Sequence, residues 1–298
     1  MTFNKGARLD TSRVRRGGGR RPGGRVAVGG GIGTVIVVLL LSQFLGVDLT
    51  QFLGTSDGAR SAGSVDTTSL AEKCRTGEDA NRDVECRMVG AANSLEAYWE
   101  TELPELGTSY RSPSMELFAG QTVTGCGTAT SDVGPFYCSA DESVYLDVGF
   151  FDVLTGELGA DEGNLSQMYV VAHEWGHHIQ NLTGIMTAID RQSIGASSDS
   201  VRLELQADCF AGAWAAAAST TSDESGQTFL KPFTDAELAN ALSAAAAVGD
   251  DRIQAQQGRV SPETWTHGSA EQRQHWFLTG MQGGPPACDT FDSAAGSL

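Results

Sequence analysis

Residues 173–178 read His-Glu-Trp-Gly-His-His, and the spacing inside this run constrains the chain more than any other feature. Two histidines four apart on a helix project from one face, one turn above the other. Both imidazoles, those of His173 and His177, then reach a single Zn²⁺. Glu174 stands beside that ion, where a carboxylate can take a proton from a bound water. The flanks favour a helix. Leu165 to Leu182 holds no proline and only Gly176, and Asn164 or Ser166 is placed to cap its start. Met168, Val171, Ala172, Trp175, Ile179 and Leu182 recur at helical spacing, so one face is expected to be buried.

A second helical run, Val201 to Ala218, supplies what the first lacks. It carries Glu204 and Asp208, again four apart and on one face. A hydrolytic zinc site takes three protein ligands and keeps one position open. Two histidines from one helix and Glu204 from the next complete that set. Asp208, one turn on, is placed to accept a hydrogen bond from a ligand histidine and fix its orientation. Both acids stand in apolar surroundings: Leu203 and Leu205 flank Glu204, while Ala207, Cys209 and Phe210 surround Asp208. An acid in so apolar a run is expected to have a partner.

These two blocks, AHEWGHHIQNLTG (172–184) and SVRLELQADCFAGAWA (200–215), resemble the bacterial neutral zinc metallopeptidases, a gluzincin-like group. The resemblance extends to GCGTATSDVGPFYCSADESVYLD (125–147) and THGSAEQRQHWFLTGM (266–281), and so spans most of residues 70–298. It implies a zincin-like fold, with Zn²⁺ on His173, His177 and Glu204 and with Glu174 as the base. No motif residue is missing. The resemblance does not imply a particular substrate.

The N-terminus is of a different composition. Residues 1–25 hold eight Lys and Arg against one acid, a charge of +7, which leaves −24 of the total −17 on residues 26–298. Val26 to Val47 carries no charge over 22 residues, long enough to span a bilayer. By the positive-inside tendency a basic flank before it would be cytoplasmic and the acidic bulk after it extracytoplasmic. A cleaved signal peptide and a buried core helix are the alternatives. Asp48 to Thr68, rich in Ser, Gly, Thr and Asp, reads as a flexible spacer. The expected organisation is therefore a basic cytoplasmic tail (1–25), a transmembrane helix (26–47), a linker (48–68) and an extracytoplasmic domain (69–298). The acidic domain makes nucleic acid an unpromising partner.

Six cysteines, an even number, all follow the apolar segment. An extracytoplasmic domain permits disulfides. Cys74 with Cys86 and Cys126 with Cys138 close short loops of similar size, so local pairing is the first expectation, leaving Cys209 with Cys288. Zinc ligation by cysteine is the weaker rival, because no C-x₂-C occurs.

Elsewhere, Asp79 to Glu102 is expected to be helical and Thr122 to Asp152 to form strands. One of those strands is expected to edge the cleft, where a substrate backbone could pair with it. Thr234 and Glu237 form a capping-box signal for a helix to Ala247. His267, before a last helix capped by Ser269, is the candidate donor to an oxyanion, and Tyr145 the weaker one. His178 is expected to be a solvent- or cleft-facing neighbour, and His275 to be structural. The whole reads as an α+β chain: a mainly helical zincin-like domain with a small antiparallel sheet, preceded by one transmembrane helix. The function expected of it is hydrolysis of a protein or peptide substrate by a membrane-anchored zinc peptidase. An envelope binding or scaffold module without turnover, and an amidase acting on cell-wall peptides, are the alternatives.

Overall fold

The computed structural model describes residues 1–17, 69–292 and 298. Helices dominate. A long helix α1 (Val84–Glu105) starts at Asp83, whose carboxylate accepts from the backbone N–H of Glu85 and Cys86. That cap splits the expected 79–102 helix. Gly77–Arg82 forms a short helix of its own, because Asp83 takes an extended backbone between the two.

The strands lie in two sheets. The larger contains β1 (Val14–Arg16), β2 (Ser114–Phe118), β5 (Phe136–Cys138) and β6 (Ser143–Asp147) in the order β1-β2-β6-β5. β1 and β2 run parallel, as do β2 and β6; only β5 is antiparallel to its neighbour, pairing Phe136 with Tyr145. The expected small antiparallel sheet is therefore a mixed one, because the strand beside β6 in space is the distant β2. The second sheet is the hairpin β3 (Gln121–Thr124) and β4 (Gly127–Thr130), which is antiparallel.

After a short helix α2 (Phe150–Gly156) come the two helices that carry the chemistry, α3 (Asn164–Leu182) and α4 (Asp199–Ala217). Neither Asn164 nor Ser166 caps α3. Its cap position is Gly163, and the Ser166 hydroxyl donates to the Asp161 carbonyl instead. α4 is capped by Ser198, which accepts from the N–H of Val201. Helices α5 (Asp235–Ala247), α6 (Asp250–Gln256) and α7 (Ala270–Gly283) follow; the expected capping box forms at Thr234, and the expected cap Ser269 forms one with Gln272.

α3 lies at the centre, against α1, α4 and α5, and α7 packs along α4. Two glycines set these spacings. A Cβ at Gly176 would sit 2.9 Å from the Ala207 Cα, and one at Gly212 would sit 1.9 Å from the Phe277 carbonyl oxygen. Only glycine lets the backbones approach this closely. The three disulfides pair as expected: Cys74–Cys86, Cys126–Cys138 and Cys209–Cys288. The last ties the C-terminal segment to α4.

Residues 1–17 depart from the expectation of a separate tail. Met1, Phe3, Ala7 and Val14 are buried in the core that holds α1 and α3. The Phe3 ring fills the space over Gly90 of α1. The Asn4 N–H donates to the Phe229 carbonyl, and the Met115 N–H to that of Arg13. The basic residues meet the domain's acids: Lys5 pairs with Glu78, Arg15 with Glu116 and Arg16 with Glu85. The apolar residues spaced among the charges supply the burial, and the acidic domain supplies the counter-charges. A single crossing of a bilayer between residues 25 and 48 would put residues 1–17 and the domain on opposite faces, whereas here they share one core. Val26–Val47 itself lies outside the described residues. Among the described residues no helix is long and apolar enough to cross a membrane.

Phe3→Ala removes a fully buried ring and is expected to cost about 3–5 kcal/mol in denaturant unfolding. An unchanged midpoint would return residues 1–17 to a detached tail.

Candidate metal centre

α3 and α4 pack side by side across Gly176, so the donor face of one meets that of the other. His173, His177 and Glu204 converge there, all buried, with a ligand atom of each within 4.8 Å of the others. His173 Nε2 lies 3.1 Å from Glu204 Oε2, and His177 Nε2 lies 3.5 Å from Glu204 Oε1. Two ligands about 2.1 Å from a tetrahedral ion stand about 3.4 Å apart, so this spacing suits Zn²⁺. A second observation agrees. Glu204 Oε1 is buried and accepts no hydrogen bond among the described residues. An acceptor left so in the interior is costly unless something else satisfies it. A Zn²⁺ held by the two Nε2 atoms and the Glu204 carboxylate would do so.

Both imidazoles are oriented through their other nitrogen. His173 Nδ1 donates to Asp208 Oδ1 at 2.8 Å, and His177 Nδ1 donates to Gln180 Oε1 at 2.9 Å. This leaves each Nε2 aimed at the shared point. Asp208, one turn beyond Glu204, is itself held by the Tyr169 hydroxyl and by Arg273, whose Nε and Nη2 donate at 2.7 and 3.0 Å. Gln180 is anchored in turn, its amide donating to the Leu203 carbonyl at 2.6 Å.

The charges balance within this cluster. Burial pushes the Asp208 carboxyl up, but Arg273 and His173 outweigh it and hold Asp208 below its usual value. Burial likewise works against Glu204, yet the surrounding imidazoles of His177, His267 and His173 pull it well below the ordinary range. His173 is disfavoured as a cation by burial, but the Asp208 and Glu204 carboxylates raise its pKa to about 10. A proton and a metal therefore compete for His173 Nε2.

Glu174 behaves differently. Burial dominates and raises its pKa, with the neighbouring histidines opposing. No group among the described residues hydrogen-bonds its carboxylate, and it lines a cavity of about 220 Å³ together with the three donors. His267 lines the same cavity, and although burial opposes its charge, the Glu204 and Asp250 carboxylates raise its pKa. It sits in a turn gripped by Asp250, which lies at the start of α6. One Asp250 oxygen accepts the backbone N–H of Thr266, His267 and Gly268 at 2.9, 2.7 and 3.0 Å. The other lies 3.5 Å from His267 Nδ1.

The remaining expectations separate. Tyr145 does not face the centre: its ring stacks on Phe136 and its hydroxyl donates to Asp141 at 2.7 Å. The period-2 alternation along β6 turns it to the small cluster under the β3–β4 hairpin. His178 is neither solvent- nor cleft-facing. It is fully buried, with Nδ1 3.0 Å from the Tyr137 hydroxyl and Nε2 2.7 Å from the Arg111 carbonyl. His275 is exposed against Trp276, outside the cavity lining. Arg273, Tyr169, Gln180 and Asp250 were missed from the sequence. Tyr169 and Gln180 stand one turn from the motif histidines, a spacing that points to them. Arg273 and Asp250 carried no local signal.

Two buried imidazoles from one helix, a carboxylate from the next and an unpartnered glutamate beside them form a group that could hold a metal ion in the H-E-x-x-H manner. Comparison with known proteins agrees. The sequence profile of the family described as "Putative neutral zinc metallopeptidase" matches residues 1–291, and the chain belongs to that family. It is 54% identical over 225 residues to the uncharacterized protein Rv2575 of Mycobacterium tuberculosis, covering 74% of this chain and 75% of that protein. The uncharacterized protein Mb2605 of Mycobacterium bovis is equally similar. The uncharacterized protein YpfJ of Escherichia coli K12 is 38% identical over 278 residues, 91% of this chain and 90% of its own. No solved structure matches.

Two measurements check the centre. Elemental analysis is expected to find about one Zn²⁺ per chain, lost in Glu204→Ala, while Asp208→Asn weakens affinity roughly 10–100-fold. Full occupancy in Glu204→Ala would remove it from the ligand set. The second concerns acid. Burial pushes Asp250 up, but His267 and the backbone N–H groups leave its pKa below the usual value. Its stabilisation is thus complete above its unfolded pKa of about 3.9 and lost as pH falls below that. The stability gap between wild type and Asp250→Asn, read by urea titration, is expected to close as pH drops below about 4.

Proposed function

We propose that the chain is a zinc-dependent peptidase. The observation that carries this is Glu174: a buried carboxylate with a raised pKa, without a hydrogen-bond partner among the described residues, opening into the cavity that the three donors line. A bound Zn²⁺ supplies Lewis acidity and a water of lowered pKa. Glu174 takes a proton from the attacking water at its carboxylate. It returns that proton to the leaving amine, and the burial that raises its pKa favours its holding the proton between the two transfers. His267, beside Glu204, donates to the carbonyl oxygen as charge gathers there, and Asp250 holds it in place. β5 is an outer strand of the larger sheet, with Phe136 and Tyr137 in the cavity lining, so an extended peptide backbone can run along it. The three disulfides support an oxidising compartment outside the cytoplasm.

The test is digestion of a peptide library by the zinc-loaded chain and by Glu174→Gln. The variant is expected to keep its metal and lose roughly 10²–10⁴-fold in kcat, as losses of acid–base groups do. Zinc binding with no Glu174-dependent cleavage would favour a binding module without turnover. Cleavage confined to cell-wall peptides would favour the amidase reading. His267→Ala is expected to lower kcat roughly 10²–10³-fold with KM little changed and zinc retained. Near-normal kcat in the folded, zinc-loaded variant would leave His267 a structural residue.

A further inference from the structure

The walls of the cavity around Glu174 say which peptides fit it. Val133, Phe136, Phe150, Leu158, Val170 and Ile253 all line it. They come from separate places in the chain: the loop before β5, β5 itself, α2 and the turn after it, α3, and α6. Val170 stands one turn before Glu174 on the same face of α3, so the apolar wall begins where the donors end. Val133, Phe136, Val170 and Ile253 are each less than a tenth exposed, so the wall is built into the core.

Apart from Glu174 and Arg191, the charged groups in the lining are engaged with one another or with buried partners. Glu204, His173 and His177 form the donor set, and Glu174 stands beside it. Arg273 is paired with Asp208 at 2.7 Å, and His267 is held at Asp250. Arg191, the remaining charged residue of the lining, is exposed at the rim. A charged substrate side chain entering between the apolar walls would lose its water and gain no partner from the wall residues. An apolar one would lose nothing and bury its surface. The volume, about 220 Å³, falls short of the ~300–1,000 Å³ of a site for a whole small ligand. It suits one side chain of a longer substrate whose backbone continues along β5.

We infer that this cavity is a specificity pocket, and that the substrate is a peptide with a large apolar side chain (Leu, Ile, Met or Phe) at one of the two residues flanking the attacked bond. The cleavage of that bond rests on the peptidase reading, but the pocket's preference does not. Peptides differing only at that position are expected to separate by roughly 10–200-fold in kcat/KM, the large apolar residues above Ala, Asp and Lys. Replacing a wall residue by an acid is expected to invert the order. Ile253→Glu, or Phe150→Asp where the first variant proves unfolded by its thermal melt, should come to favour Lys over Leu at that position.

Two measurements keep the inference separate from the reading beneath it. The first is digestion of a peptide library by the full zinc-loaded chain, scoring the residues beside each cut. The second is calorimetric binding of host peptides with Leu, Ala, Asp or Lys at one position to the zinc-loaded Glu174→Gln variant. Enrichment of apolar residues beside the cuts, with tighter binding of the Leu peptide, supports the inference. Glu174-dependent cutting beside charged or small residues, or without preference, overturns it and leaves the peptidase reading standing. Preferential binding of the Leu peptide without any cutting by wild type sinks the peptidase reading and keeps the pocket. Equal binding of all four peptides together with no cutting overturns both.

Discussion

Asp208 is a carboxylate with no exposed surface, and the rest of the centre is built around keeping it charged. A buried carboxylate survives ionised only where cations and hydrogen-bond donors replace its water. Here Arg273 from α7 supplies two N–H groups, the Tyr169 hydroxyl from α3 a third donor, and His173 a fourth. Arg273 also reaches the Val248 carbonyl ahead of α6. One side chain on α4 therefore fixes how α3 and α7 approach it and where α6 begins. The close helix contacts at Gly176 and Gly212 are what bring these groups into range. Orientation of the metal donors and assembly of the helical core are thus the same event.

Much of the donor set was legible, because covalent spacing places it. His173, Glu174 and His177 follow from a period of 3.6, and Glu204 and Asp208 from the same period on a second apolar run. The elements themselves were legible where caps announce them, at Thr234 and Ser269, and less so at α3, where Gly163 takes the cap position without a side-chain bond. What the sequence hides is partnership across distance. Arg273 lies 65 residues from Asp208, and Asp250 lies 17 from His267, and nothing local links either pair. Tyr145 shows the reverse error: alternation identifies its strand but not which face of the sheet looks at the centre.

The N-terminal segment was misread for a related reason. Its glycines and arginines dominate the composition of residues 1–25 and suggest a solvated tail. Composition averages over positions, however, and packing depends on particular ones. Phe3, Ala7 and Val14 are few, but each is buried. The acids that face Lys5, Arg15 and Arg16 are scattered along the chain at Glu78, Glu116 and Glu85, so the charge match appears only once the fold is formed. Likewise His178, adjacent to a metal donor in sequence, spends both its nitrogens joining α3 to the Tyr137 hydroxyl and the Arg111 carbonyl. It fixes β5 against the helix that carries the motif.

The position of β1 has a consequence for solubility. A sheet with the order β1-β2-β6-β5 has two rims, and a bare rim is a row of unspent N–H and C=O groups that invites another chain to pair with it. β1 is three residues long, carries Arg15 and Arg16, and lies along β2. It closes that rim with a strand too short and too charged to template further growth. The other rim, β5, is the one beside the cavity. Residues 1–17 thereby leave β5, the rim beside the cavity, as the less protected edge of this sheet among the described residues. A chain stripped of them would offer Met115 and Leu117 on a naked strand and would be a candidate for edge-to-edge aggregation.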